Sequence, residues 1–189
     1  FEIANLLQFH RVNYLAVAYA DEGLELRKSG ITLPIMVMNP EEQSFDSMIA
    51  HGLEPEIYSF RILHLFETAA RRYRQSNPQT EPVRVHIKFD TGMRRLGFEE
   101  KEINELVVRL NNSRDLRVAS VFSHLAASDE SEHDEYTRQQ IRLFTGICET
   151  LREHIRYPFL RHILNSSGIL RFPDAQMEMV RLGIGLYGI

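Results

Sequence analysis

The chain has one cysteine, Cys148, so an intrachain disulfide is excluded; its apolar neighbours in LFTGICETL mark it as inert packing in a reducing compartment. Long hydrophobic runs are missing as well. None approaches the ~20 residues of a membrane-spanning helix, and no signal-peptide pattern precedes them. Nor is there a cationic excess: the formal net charge is -4, which argues against a nucleic-acid footprint or a basic membrane surface. The one basic cluster, ARRYR from Ala70 to Arg74, reads as the solvated face of a helix. The expectation is a cytoplasmic protein with neither nucleic acid nor membrane as a partner. Internal repeats of fixed period, low-complexity segments and clear linkers are also lacking.

What is present, 43% hydrophobic and 25% charged residues, suits a globular domain. Strand-like runs alternate with helical patterns, the rhythm of a parallel sheet with crossover helices. Seven strands are predicted, over residues 14–20, 33–38, 56–60, 83–90, 118–124, 159–165 and 177–183. The helices between them include one capped by Asp21 and stopped near Gly30, one started by Asn39-Pro40-Glu41-Glu42, and one running to about Gln75. Others cross residues 99–111, residues 135–154, and SSGIL. The first eleven residues place apolar side chains at 3, 6, 7 and 9 and read as a further helix. In a right-handed βα series a leading helix wants a strand before it, and one more strand would make the eight of a (β/α)8 barrel. The expected fold is α/β, an incomplete TIM-type barrel of about seven strands with the first missing. Phe1 is no initiator methionine, so the chain is expected to be trimmed at its front. An open doubly wound sheet is the runner-up, but neither a GxGxxG nor a Walker loop supports it.

The run VRVHIKFD alternates strictly, with Val83, Val85, Ile87 and Phe89 on one face and Arg84, His86, Lys88 and Asp90 on the other. In a barrel the polar face would point inward, with Lys88 and Asp90 at the carboxyl end where barrel sites form; a half-exposed edge strand is the bland alternative. In the following DTGMRRLGF, Gly92 and Gly97 permit a tight turn around two arginines. A guanidinium beside Lys88 would need an anion: Asp90, a substrate carboxylate, or a lysine converted to a carbamate. His124 ends another strand. A metal site drawing on His124, Asp129 and His133 is conceivable, but no compact ligand motif supports it. The last strand ends offer Asn165-Ser166-Ser167-Gly168 and Gly183-Ile184-Gly185, hydroxyls and small residues whose amides an anion could approach. In barrels the loops after the seventh and eighth strands often cradle phosphate, which favours a phosphorylated ligand, and Arg181 would point into the same mouth.

Four segments, KFDTGMRRLGF, SHLAASDE, NSSGIL and VRLGIGLYG, together resemble the barrel domain of pyridoxal-phosphate-dependent alanine racemases, in order and spacing across nearly the whole chain. The resemblance implies a partial N-terminal barrel domain over residues 1–189. It implies an enzyme that binds pyridoxal 5'-phosphate and interconverts L- and D-alanine by a two-base mechanism for peptidoglycan synthesis, acting as a homodimer when complete. By the same resemblance, Arg95 would meet the cofactor's phenolic oxygen and the substrate carboxylate, and Lys88 would be a carbamylated lysine holding Arg95. Arg181 would donate to the pyridine nitrogen, and Ser166, Gly183 and Ile184 would hold the phosphate. His124 would support a catalytic tyrosine from a second subunit, and Asn165 would line the wall. No metal is implied.

The family's cofactor-bearing lysine belongs at the end of a strand before Phe1, and Lys28, in LELRKSG, is no substitute for it. Its catalytic tyrosine belongs to a C-terminal β domain. The chain alone is therefore expected to be inactive. The alternatives are a pyridoxal-phosphate homeostasis protein, a barrel-type amino-acid decarboxylase, or the racemase half of a fusion with the D-alanyl-D-alanine-adding ligase.

Overall fold

The computed structural model describes residues 2–188. Along it run α1 (Glu2–Phe9), β1 (Leu15–Val17), α2 (Ala20–Lys28), β2 (Ile35–Val37), α3 (Phe45–Ala50), β3 (Leu53–Ile57), α4 (Phe60–Ser76) and β4 (Val83–Lys88). Then follow α5 (Ile103–Asn112), β5 (Leu116–Phe122), α6 (Asp134–His154), β6 (Leu160–His162) and α7 (Ser166–Arg171), with short 3-10 turns between. Strand order equals sequence order, and β1 to β2, β2 to β3 and β5 to β6 pair in parallel, in registers such as Leu15 opposite Ile35 and Ser120 opposite Leu160. Parallel neighbours need a helical crossover, which the intervening helices supply. Among the described residues no helix is long and apolar enough to cross a membrane.

Six of the seven predicted strands form. Residues 177–183 stay outside the ladder: the Met179 and Arg181 N–H groups donate to the Arg161 and Leu164 carbonyls. Those donors lie two residues apart and their acceptors three, so the segment cannot hold a continuous register. The third strand begins at Leu53 rather than Glu56: Leu53, Glu54 and Pro55 lie opposite Ile35, Met36 and Val37 of β2. Two helix starts also differ. Glu22, not Asp21, caps α2 by accepting the Ala18 and Tyr19 N–H groups at 2.7 and 3.2 Å. Asn39 donates to the Ala18 carbonyl instead of capping, and the next 3-10 turn begins only at Glu42.

The chain forms two compact units, one running to His86 and including Ser113–Arg117, the other comprising Ile87–Asn112 and the chain from Val118 on. In the first, Ile35, Val37, Leu53 and Ile57 from the strands are buried beneath Phe45, Met48 and Phe66 of the helices, with the Phe45 and Phe66 rings edge to face at 5.1 Å. Ser59 caps α4 by accepting the Ile62 N–H. The basic cluster is less solvated than its composition suggests: Arg74 donates to the Thr80 and Arg114 carbonyls and to Asp115 at 2.6 Å, closing the chain after α4. A buried polar knot joins Glu54, which accepts from Tyr14 at 3.1 Å and from His86 Nε2 at 2.8 Å; burial pushes the His86 imidazole below its ordinary pKa, against the pull of Glu54.

In the second unit, Ile87, Phe89, Phe98, Leu106, Val121, Phe144 and Ile147 form the core. Cys148 is fully buried and its thiol is pushed up to about 12 by burial, so it packs without reacting. Lys88 is only 5% exposed, which rules out a half-exposed edge strand and puts a charged group inside the fold.

Candidate active site

The site is built at the carboxyl ends of β4, β5 and β6, all within the second unit. After Lys88 the chain folds back on itself: the Phe98 N–H donates to the Lys88 carbonyl at 2.8 Å and the Asp90 N–H to the Phe98 carbonyl at 2.9 Å. This tight return needs unusual backbone, and Gly92, Arg94 and Gly97 have φ of 145, 55 and 139°. The Asp90 carboxylate organises the turn, one oxygen accepting the Gly92 and Arg94 N–H groups and the other the Arg95 N–H, each within 3.0 Å. Asp90 therefore serves the backbone, and among the described residues no carboxylate pairs with the exposed Arg95 guanidinium.

A methyl group on Gly97 would stand 2.6 Å from the Phe89 carbonyl carbon, at a φ that side chains rarely adopt. Gly97→Ala is therefore expected to destabilise the fold by about 2–4 kcal/mol, since backbone rather than a flexible side chain must move. Chemical denaturation of the polypeptide that carries the domain measures this, and an unchanged midpoint would show that the turn has slack.

At the end of β5 the Phe122 ring gathers cations. His162 of β6 stacks on it at 4.9 Å with 3° between planes, while the Lys88 ammonium and the Arg181 guanidinium carbon lie 5.6 and 5.1 Å from its centre. Arg181 is held in a fixed fork: it donates to the Ser123 carbonyl at 2.6 Å, to His162 Nδ1 at 2.5 Å and to His124 Nδ1 at 3.4 Å. A guanidinium only donates, so both Nδ1 atoms are acceptors and the ring protons sit on Nε2. The His162 Nε2–H then donates to the buried Ser120 hydroxyl at 2.8 Å. For His124, burial above all, then the charges of Arg181, Lys88 and Arg95, hold the pKa down at about 4. It is neutral at pH 7, with cations around it.

Beyond β6, Asn165 caps α7: its side-chain oxygen accepts the Gly168 N–H at 2.9 Å and the Ser128 hydroxyl at 2.7 Å. The Ser166 hydroxyl accepts the Gly183 and Gly185 N–H groups at 3.0 and 3.1 Å. Two amides thus converge on one point beside an exposed Ile184, the start of a 3-10 turn.

Residues 1–189 match the family described as alanine racemase, N-terminal domain. The chain belongs to that alanine racemase family. It is 34% identical over 178 residues to an alanine racemase 1 of Oceanobacillus iheyensis, covering 93% of this chain and 46% of that one. Against an alanine racemase 1 of Clostridium acetobutylicum the identity is 35%, over 99% of this chain and 47% of the other. A solved alanine racemase of Clostridium difficile superposes with a TM-score of 0.89 at 33% identity, over 98% of this chain and 47% of that structure; a second solved form of it holds cycloserine. The chain spans about half the length of the curated relatives it matches. The fold class is accordingly α/β, an incomplete (β/α)8 barrel.

Of the residues singled out in the alanine racemase sequence pattern, Lys88, Arg95, His124 and Arg181 share one electrostatic environment, and Ser166 and Gly183 meet in another. Exposed His133 lies with Glu130 and Glu132, in a group that includes neither His124 nor Asp129. His162, Ser120 and Gln140 were missed. His162 had one signal, a lone imidazole in the apolar run FLRHILN.

Proposed function

We propose that this chain is the N-terminal barrel domain, residues 1–189, of a pyridoxal-phosphate-dependent racemase. The complete enzyme would be a cytoplasmic homodimer that interconverts L- and D-alanine by a two-base mechanism and feeds peptidoglycan synthesis. The observation that carries the reading is a neutral histidine, His124, bonded to a fixed guanidinium, Arg181, among further cations. A protein that only needed stability would not crowd positive charge around one imidazole. A ligand with several anionic groups turns that arrangement into binding.

The residues present fit the cofactor. The amides of Gly183 and Gly185 converge on the Ser166 hydroxyl, whose own O–H is then left to donate to a phosphate oxygen, with Ile184 in the same segment and Asn165 shaping the wall through its cap of α7. Arg181 is tethered by the Ser123 carbonyl and His162, which fixes a cation that can face a ring nitrogen without giving up a proton. Arg95, on its rigid turn, supplies a cation for the phenolic oxygen and the substrate carboxylate. His124 has its Nε2–H free of the Arg181 bond and can hold the oxygen of a tyrosine from the second subunit. When bound, pyridoxal phosphate spreads the charge left on the α-carbon as its proton departs. The chain's part is to hold, orient and tune.

The test is racemisation of L-alanine by the full-length polypeptide with the cofactor, alongside the isolated 189 residues. The full-length protein is expected to convert L-alanine to a racemic mixture; the isolated chain is expected to show neither turnover nor a cofactor absorbance band. Cofactor binding by the full-length protein without exchange of the α-hydrogen would overturn the enzymatic reading.

A further inference from the structure

Helix α6 reaches both loops of the proposed site. Tyr136 and Gln140, four residues apart and so on one helical face, point at the ends of β4 and β5. The Tyr136 hydroxyl donates to the Gly92 carbonyl at 2.6 Å. Gln140 is 1% exposed, and its amide nitrogen donates to the His124 carbonyl at 3.1 Å and to Thr91 Oγ1 at 3.4 Å, while its oxygen accepts the Ala126 N–H at 3.0 Å. Thr91 and Ser123 complete the link, hydroxyl to hydroxyl, at 2.7 Å. One buried amide thus joins the segment that carries Arg95 to the one that carries His124.

The Arg95 turn contains a non-glycine residue at positive φ, Arg94, between Gly92 and Gly97. Such backbone persists only where its surroundings over-determine it. Asp90 holds the turn from within, and the helix holds it from outside.

We propose that Tyr136 and Gln140 are positioning residues, a clamp on α6 that fixes the Arg95 turn relative to His124. The clamp rests on the function proposed above for Arg95 and His124, yet its geometry belongs to this chain alone. Tyr136→Phe is the cleanest probe, since it keeps the ring and removes one hydroxyl from a partly exposed site.

In the full-length enzyme, Tyr136→Phe is expected to raise KM for alanine about fivefold, the worth of one hydrogen bond, while leaving the unfolding midpoint nearly unchanged. A second readout needs neither substrate nor cofactor. Histidine NMR on the cofactor-free protein should show His124 titrating above its pKa of about 4, as the Arg95 charge drifts away while Lys88 and Arg181 stay. Gln140→Met should move both readouts in the same direction and further. If Tyr136→Phe changes neither KM nor the His124 titration, the clamp is wrong and Asp90 alone holds the turn, whatever Gln140→Met does to folding. If the wild-type enzyme racemises nothing, the proposed function falls, and the His124 titration still decides the clamp.

Discussion

Arg181→Ala in the full-length enzyme is expected to lower alanine racemisation by at least about 10²-fold, the usual cost of deleting one fixed donor from an electrostatic site. The structural loss comes first. The guanidinium satisfies the Ser123 carbonyl and His162 Nδ1 and covers the Phe122 ring, so the alanine variant leaves polar groups without their partner. About 2–3 kcal/mol of stability should go with them. Arg181→Lys tests the geometry separately, because one ammonium cannot reproduce a planar fork that reaches two acceptors at once. Lysine should restore part of the stability and little of the activity.

The same variant has a signature in pH. Wild-type His124 stays neutral down to about 4 because burial, then Arg181, Lys88 and Arg95, disfavour the imidazolium. Removing Arg181 takes away the largest of the charges, so the folded pKa rises towards its ordinary value of ~6.5. The sign is definite: a histidine that must be neutral to support catalysis will protonate at higher pH in the variant, so the acidic limb of kcat/KM moves upward. An acidic limb that stays in place would show that His124 does not govern it.

How much of this site was legible beforehand depended on whether its parts were local. The alternation of VRVHIKFD located Lys88 at a carboxyl end, and the burial of Ile87, Lys88 and Phe89 agrees with a strand covered on both faces. The return of the chain through DTGMRRLGF was readable from Gly92 and Gly97, both at positive φ. The third strand was placed too late: it starts at Leu53, and Pro55 lies inside it opposite Val37, a position where its composition argues against a strand because proline brings no N–H to the ladder. With its start missed, Glu54 and its buried bond to His86 were missed as well. Three anions had been open for Arg95. The structure removes Asp90 by showing that its oxygens serve three backbone amides, a role that composition cannot reveal. Gln140, His162 and Ser120 were out of reach for a related reason: each matters through a partner far along the chain, and helical periodicity alone only marks Gln140 as polar.

With Asp90 occupied, the anion beside Arg95 must be a bound ligand or a modified lysine, and the second choice has a measurable consequence. The Lys88 ammonium first loses a proton to water; the amine then adds to carbon dioxide, forming a C–N bond as one C=O π bond breaks, and releases a second proton, which in all turns a cation into an anion. In the site as it stands, Lys88 is one of the charges that hold the His124 pKa at about 4. Carbamylation reverses that contribution, so the His124 pKa should rise, and the new carboxylate can hold Arg95 in its working position. Stripping carbon dioxide from the full-length enzyme is therefore expected to cost up to about 10²-fold in activity, the scale of losing a substrate-orienting contact, with recovery on adding bicarbonate. Intact-mass measurement should show the added group, and the His124 titration should fall and rise with it. Lys88→Met should remove both responses. If activity and titration ignore bicarbonate and Lys88 stays unmodified in the active enzyme, Arg95 must take its counter-charge from the ligand, and the lysine is only a buried cation.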